Sequence, residues 1–155
     1  MKPIELIALV HAFATLAMTG LIWMVQIVHY PLFETAARGG EQVWSAYERS
    51  HQSRITLIVG PLMLAEVVAA GLLLVMRPEV VPAWMLWVGA GLLAAAWLTT
   101  FLVSVPAHAR LSGGFDARAH ATLVNTNWIR TAAWTARGVL ALLILRPVFA
   151  GEPRP

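Results

Sequence analysis

Four stretches of the chain, residues 4–28, 55–76, 84–105 and 122–145, are apolar almost throughout. Each reaches the ~20 residues that a helix needs to cross a bilayer, so four transmembrane helices are predicted. The fourth stretch contains Arg130 and Arg137, but Trp128, Trp134 and the run 139–145 place it in the membrane with the others. The first stands where a secretory leader would. His11 and Gln26 within it, and Glu5 beside the early cation Lys2, mark it as a retained helix.

The punctuation between these stretches is unequal. A short link, 77–82, with Pro78 and Pro82, ends one helix and starts the next. The other two connections are longer, and Pro31 and Pro106 are expected to open them as loops. Trp23, Pro31, Gly39-Gly40, His51 and Arg54 recur in order as Trp97, Pro106, Gly113-Gly114, Asn127 and Arg130, at offsets of 74 to 76 positions. Residues 4–77 and 82–146 therefore read as two copies of one helical hairpin within a single domain, 1–155, related by a pseudo-two-fold axis along the membrane normal. Each copy holds a span, a proline-opened loop, a glycine pair that permits a turn, and a helix that begins outside the bilayer. In the first copy, 41–51 carries Val43, Trp44 and Tyr47 among charges and is expected to lie in the membrane interface. In the second, Asp116 is placed to cap a helix starting at Ala117. The fold class is an all-α four-helix transmembrane bundle with both termini on one side.

Composition agrees with this class. Of 155 residues, 59% are hydrophobic and 12% charged, too little polar material to cover a soluble globule. The lack of cysteine excludes disulfides, thiolate nucleophiles and cysteine-ligated metal. The net charge of +3 comes from scattered arginines rather than a basic run, so the partner indicated is the lipid bilayer and not nucleic acid. Arg38, Arg49, Arg54, Arg110 and Arg118 fall on the loop face against Lys2, Arg77, Arg146 and Arg154 on the terminal face. That near balance leaves orientation open under the positive-inside rule.

Helical spacing says which way the polar residues point. On the first helix His11, Thr15, Thr19 and Gln26 share a narrow arc, with His29 one turn further. On the second, His51 and Arg54 stand at i and i+3, with Glu66 about 60° round from His51. Thr100 and Ser104 lie one turn apart on the third, and His108 continues toward the loop face. Asn127, Arg130, Trp134 and Arg137 form one stripe on the fourth. Lipid cannot hydrogen-bond these groups, and a charge at mid-bilayer costs roughly 2.5 to 3.5 kcal/mol or more, so the stripes are expected to face each other. At 1.5 Å per residue, Glu66 lies about 18 Å below Arg54 and Arg137 about 10 Å below Arg130, with His11 near the depth of Glu66. The interior thus divides into a buried ion-pair group of Glu66, Arg137 and His11 and a loop-face cluster of Gln26, His29, His51, Arg54, His108, Asn127 and Arg130. His120, alone in a protruding helix, reads as an interfacial anchor.

The loop-face cluster admits two chemistries. His29, His51 and His108 could ligate a metal with an open position, although tight spacing signatures are lacking. Haem ranks lower, since no histidine pair lies at matched mid-bilayer depth. Alternatively a histidine moves a proton while Arg54, Arg130 and Asn127 hold an anionic oxygen of a phenolate, enolate or carboxylate. Two guanidinium groups approaching across the pseudo-axis would need an acidic ligand between them, or Glu48 or Glu66 in its place. Gln26 and the indoles of Trp23, Trp97, Trp128 and Trp134 are the candidate walls of a site for a small hydrophobic molecule.

The runs Val105-Pro106-Ala107-His108-Ala109-Arg110-Leu111 and Asn127-Trp128-Ile129-Arg130-Thr131 resemble the small four-helix membrane family that includes anthrone oxygenases and many uncharacterised bacterial proteins. That family typically shows Val-Pro-x-Asn-x-x-Leu followed by Trp-Asn-x-x-Arg-Thr. Here His108 stands where the family has asparagine, and Asn127 precedes Trp128 instead of following it. The first half shares only length, span layout and the proline after the first helix. The resemblance implies oxygenation or related oxidation of a polycyclic, phenolic or quinone-like substrate, with Asn127, Arg130 and His108 as the carried-over positions, in a bacterial cytoplasmic membrane. The alternative is a non-enzymatic subunit or assembly factor of a larger membrane complex, using seven tryptophans and the Gly89–Gly91 region for helix contacts, or a haem- or metal-binding membrane protein; an enzyme would instead be stable alone or as a homo-oligomer.

Overall fold

Helices α1 (Pro3–Ala37), α2 (Glu41–Met76), α3 (Ala83–Leu111) and α4 (Ala117–Ala150) make up the computed structural model, which describes residues 1–150. Among the described residues there is no strand, and all four helices are long and apolar enough to cross a membrane. Arg154, counted above on the terminal face, lies outside the described residues.

The helices outrun the bilayer. The 36 residues of α2 extend about 54 Å, against a hydrocarbon thickness of about 30 Å. Exposed apolar side chains mark where lipid lies: from Leu57 to Met76 on α2, Trp84 to Val105 on α3 and Trp128 to Phe149 on α4. The first turns of α2 and α4 therefore project beyond the loop-face boundary as a helical headpiece. The segment 41–51 does not lie flat in the interface, as its mixed composition suggested. It continues α2 without a break, and Trp44 and Glu48 point inward and are buried.

Pro31 and Pro106 do not open loops either. Both helices run on past them, to Ala37 and to Leu111. Directly before each proline the backbone widens into a single π-helical turn, Val25–His29 in α1 and Thr100–Ser104 in α3, at the same offset of 75 as the prolines. A proline ring normally clashes with the carbonyl one turn back and lacks an N–H to give it. In the widened turn the Tyr30 N–H already reaches back to the Val25 carbonyl, and the Val105 N–H to that of Thr100, so the ladder is spread where the proline enters.

Chain reversal falls to the glycine pairs. Gly40, with φ +95°, precedes α2, and Gly114, with φ +143°, precedes α4, both in backbone regions that other residues seldom adopt. Asp116 caps α4 as expected, its Oδ1 accepting from the Arg118 and Ala119 N–H groups at 2.8 and 3.1 Å. Deep in the bundle α1 approaches α4 closely at Gly138, where an added Cβ would stand 3.1 Å from Thr19 Oγ1. The Thr19 hydroxyl is satisfied by the Trp134 and Thr15 carbonyls.

Candidate functional site

Two polar clusters lie inside the bundle at different depths. In the deeper one Glu66 and Arg137 are buried and joined by Nε to Oε1 at 2.9 Å. Glu66 also accepts from the Thr15 hydroxyl and the Trp134 indole N–H, each at 2.9 Å. Arg137 donates to the Gly89 carbonyl and to His11 Nε2 at 3.3 Å. The group satisfies the rule that a buried pair persists only when its remaining lone pairs and protons also find partners. Gly89 is buried and its carbonyl serves this group.

The loop-face cluster is a connected chain of side chains from all four helices. Arg130 on α4 donates to the Asn127 side-chain oxygen, to the Tyr30 hydroxyl at 3.0 Å and to Thr100 Oγ1 at 3.4 Å. Asn127 in turn donates to Gln26 Oε1 at 2.7 Å. The Tyr30 oxygen lies 3.4 Å from His108 Nε2, and His108 Nδ1 lies 2.7 Å from Glu48 Oε1. Facing the buried carboxylate, Nδ1 carries the proton, which leaves Nε2 to accept from Tyr30. Gln52 donates to the same Glu48 oxygen at 3.0 Å and to Ser112 Oγ at 2.6 Å.

Below this chain a cavity of about 310 Å³ opens between α2 and α3. Its polar end is formed by Tyr30, His51, Gln52, His108 and Arg130, and Met63 and Trp134 form the deeper apolar end. Arg130 is buried, its Nε has no partner, and no carboxylate lies within ion-pair distance of it among the described residues. A buried guanidinium held only by neutral oxygens presents uncompensated positive charge to the cavity.

Several expected site residues stand elsewhere. Arg54 is exposed and takes no part. At 100° per residue it lies 120° round the helix from Glu66, so both cannot face inward, and Gln52 takes the inward position instead. Trp23 and Trp128 pack edge-on against each other at 5.8 Å on the lipid-facing surface, and Trp97 packs beside Phe101 without lining the cavity. Only Trp134 of the four indoles is a wall. Gln26 and Asn127 are buried behind Arg130 and position it rather than meeting the cavity. His29 also stands back from the cavity, with Nε2 2.7 Å from His51 Nδ1. Those two nitrogens face each other at hydrogen-bond distance, so one ring donates to the other. Among the described residues no three histidine or acidic side chains form a metal-holding set. His120 is no interfacial anchor: it is buried, stacks on Phe33 and contacts the Tyr30 carbonyl through Nε2 at 2.8 Å.

Tyr30 and Gln52 were missed from the sequence. Tyr30 follows Gln26 by four residues and shares its stripe once the helix is known to continue past residue 28. Glu48, weighed only as a possible counter-charge to the arginines, instead serves His108.

Compared with known proteins, the chain matches no family model, no curated protein and no solved structure.

Proposed function

We propose that this protein is a membrane-embedded oxidoreductase that binds a small hydrophobic, partly anionic molecule of phenolic or quinone-like chemistry in the cavity between α2 and α3. The observation that carries this reading is Arg130, buried at the polar end of that cavity with no carboxylate partner. An oxygen that is anionic, or becomes so during reaction, supplies the missing counter-charge. The apolar remainder of the cavity suits a ring.

The neighbouring residues supply acid-base chemistry. Glu48 fixes the tautomer and orientation of His108, leaving Nε2 unprotonated to take a proton from a bound phenol or enolisable ring through the Tyr30 hydroxyl that faces it. Arg130 then holds the resulting oxyanion. In the oxygenase form that the Val105–Leu111 and Asn127–Thr131 resemblance suggests, a ring CH₂ and dioxygen become C=O and water, with dioxygen as the oxidant.

Turnover of anthrone-type and hydroquinone-type compounds by the protein in lipid nanodiscs, followed by oxygen uptake and product absorbance, tests the proposal. His108→Ala and Arg130→Gln are expected to lower the rate by about 100-fold or more, in the range for loss of a general base or an oxyanion donor. A wild-type protein that neither binds nor oxidises any compound of these classes overturns it.

A further inference from the structure

The walls of the cavity are closed toward the loop face and open toward lipid. From this we infer that the ligand is a membrane-dissolved amphiphile, a phenolic or quinone-like ring bearing an aliphatic tail, which enters sideways between α2 and α3. The inference rests on the binding site proposed above and specifies its substrate class and route of access.

Above the cavity, α2 and α3 are bonded together. The Trp44 indole donates to the Leu111 carbonyl at 2.8 Å, Glu48 holds His108 at 2.7 Å, and Gln52 reaches Ser112 at 2.6 Å and the His108 carbonyl at 3.4 Å. Trp44, Glu48 and Leu111 are buried, so this seam bars passage from the aqueous side. At the opposite end Leu73, Val81 and Leu86 pack the two helices together where the short link joins them. Between seam and packing lies a window. Its edges are Thr56 and Gly60 on α2 and Phe101 and Val105 on α3, residues that line the cavity and are also exposed on the outside of the bundle.

The window opens at the depth of hydrocarbon. Leu57 and Ile58 beside its one edge, and Leu102 beside the other, are exposed apolar side chains of the lipid-facing belt. From Gln52 to Gly60 is about 12 Å along the helix axis, room for a ring to pass edge-on. The space beside Gly60 is open, since a Cβ there would meet nothing within 4 Å. Tyr30, His51, Gln52, His108 and Arg130 sit at the upper end, and at the deep end the Trp134 indole N–H is already given to Glu66, so a molecule satisfied here has its oxygen up against Arg130 and Tyr30 and its apolar portion directed down and out through the window. A ligand arriving from water would have to break the seam. One already dissolved in the leaflet need not.

The test compares two probes with the same head, a tailless alkyl benzoquinone and that ring with a ten-carbon tail, bound to the protein in nanodiscs. Concentrations are expressed as mole fraction in lipid so that simple partitioning cancels against empty nanodiscs. Wild type is expected to prefer the tailed probe at least tenfold. Gly60→Leu, which fills the window and sets a side chain before Pro61 as Tyr30 and Val105 stand in helix before Pro31 and Pro106, is expected to erase that preference, while Arg130→Gln weakens both probes. A wild type that binds both equally, or a Gly60→Leu protein that keeps the preference, overturns the amphiphile inference and leaves the binding site standing. Binding of neither probe by wild type overturns the amphiphile inference, and failure of anthrone-type and hydroquinone-type compounds as well overturns the binding site with it.

Discussion

Arg130 donates a 3.0 Å hydrogen bond to the hydroxyl of Tyr30, joining the middle of α4 to the residue just before the proline of α1. Tyr30 is buried, and its oxygen stands between the guanidinium and His108. Tyr30→Phe keeps the ring and removes this link, leaving the buried Arg130 with one fewer acceptor. The expected result is a loss of about 1 to 3 kcal/mol in stability, read by thermal unfolding in detergent, together with at least tenfold slower turnover. Unchanged stability would mean that Arg130 has another acceptor.

Glu66 and Arg137 should behave as a buried pair whose members cannot be removed singly. Glu66→Leu leaves the guanidinium charged and unneutralised, at an expected cost of about 3 to 5 kcal/mol. Glu66→Leu combined with Arg137→Met removes both charges and should be more stable than either single variant. A double-mutant cycle on thermal unfolding decides it, and simple additivity would contradict the pairing.

Glu48 holds His108 from behind without lining the cavity. Glu48→Gln retains an oxygen for Gln52 but removes the carboxylate that holds the Nδ1 proton. Turnover should fall by about 10 to 100-fold, the usual effect of losing such a supporting group, with quinone binding nearly unchanged. Equal losses in binding and rate would show instead that the residue keeps the seam closed.

The sequence revealed the bundle and its deep cluster for one physical reason: hydrocarbon offers no hydrogen bonds. Thr15, Glu66, Trp134 and Arg137 therefore had to turn inward, and their spacing alone showed which faces met. Near the loop face that constraint relaxes, because water lies within reach of long side chains. Arg54 could thus point outward while Gln52, two positions earlier, turned inward. The prolines misled for a different reason. Proline is normally a helix stop, yet α1 and α3 run on past Pro31 and Pro106 behind a widened turn, which leaves no mark in composition, and so carry Tyr30 and His108 into the site. Trp23 and Trp128 suit a lipid boundary as well as a pocket wall, and nothing in their spacing separates the two.

Asp116 gives the headpiece a pH dependence. The N–H groups of Ala119 and Arg118 stabilise its charged form and hold its carboxyl below the ordinary aspartate value of about 3.9. A carboxyl depressed on folding contributes stability that is fully present above the unfolded value and is lost as pH falls through the folded one. Fraying of the first turn of α4 should therefore appear only below about pH 4. Asp116→Asn keeps a neutral cap and should show no such step. Hydrogen exchange at the Arg118 and Ala119 amides, compared between the two proteins across this range, makes the measurement.

Trp134 connects the two clusters. Its ring closes the deep end of the cavity, and its Nε1 donates to Glu66 Oε2 at 2.9 Å. Trp134→Phe preserves an aromatic floor but strips one carboxylate oxygen of its donor, at an expected cost of about 1 to 3 kcal/mol. In the Glu66→Leu, Arg137→Met background that oxygen no longer exists, so the hydrogen-bond part of the loss should vanish and only the small change in ring volume remain. Thermal unfolding of the four proteins separates the two contributions. An equal loss in both backgrounds would place the role of Trp134 in packing alone and uncouple the cavity from the ion pair beneath it.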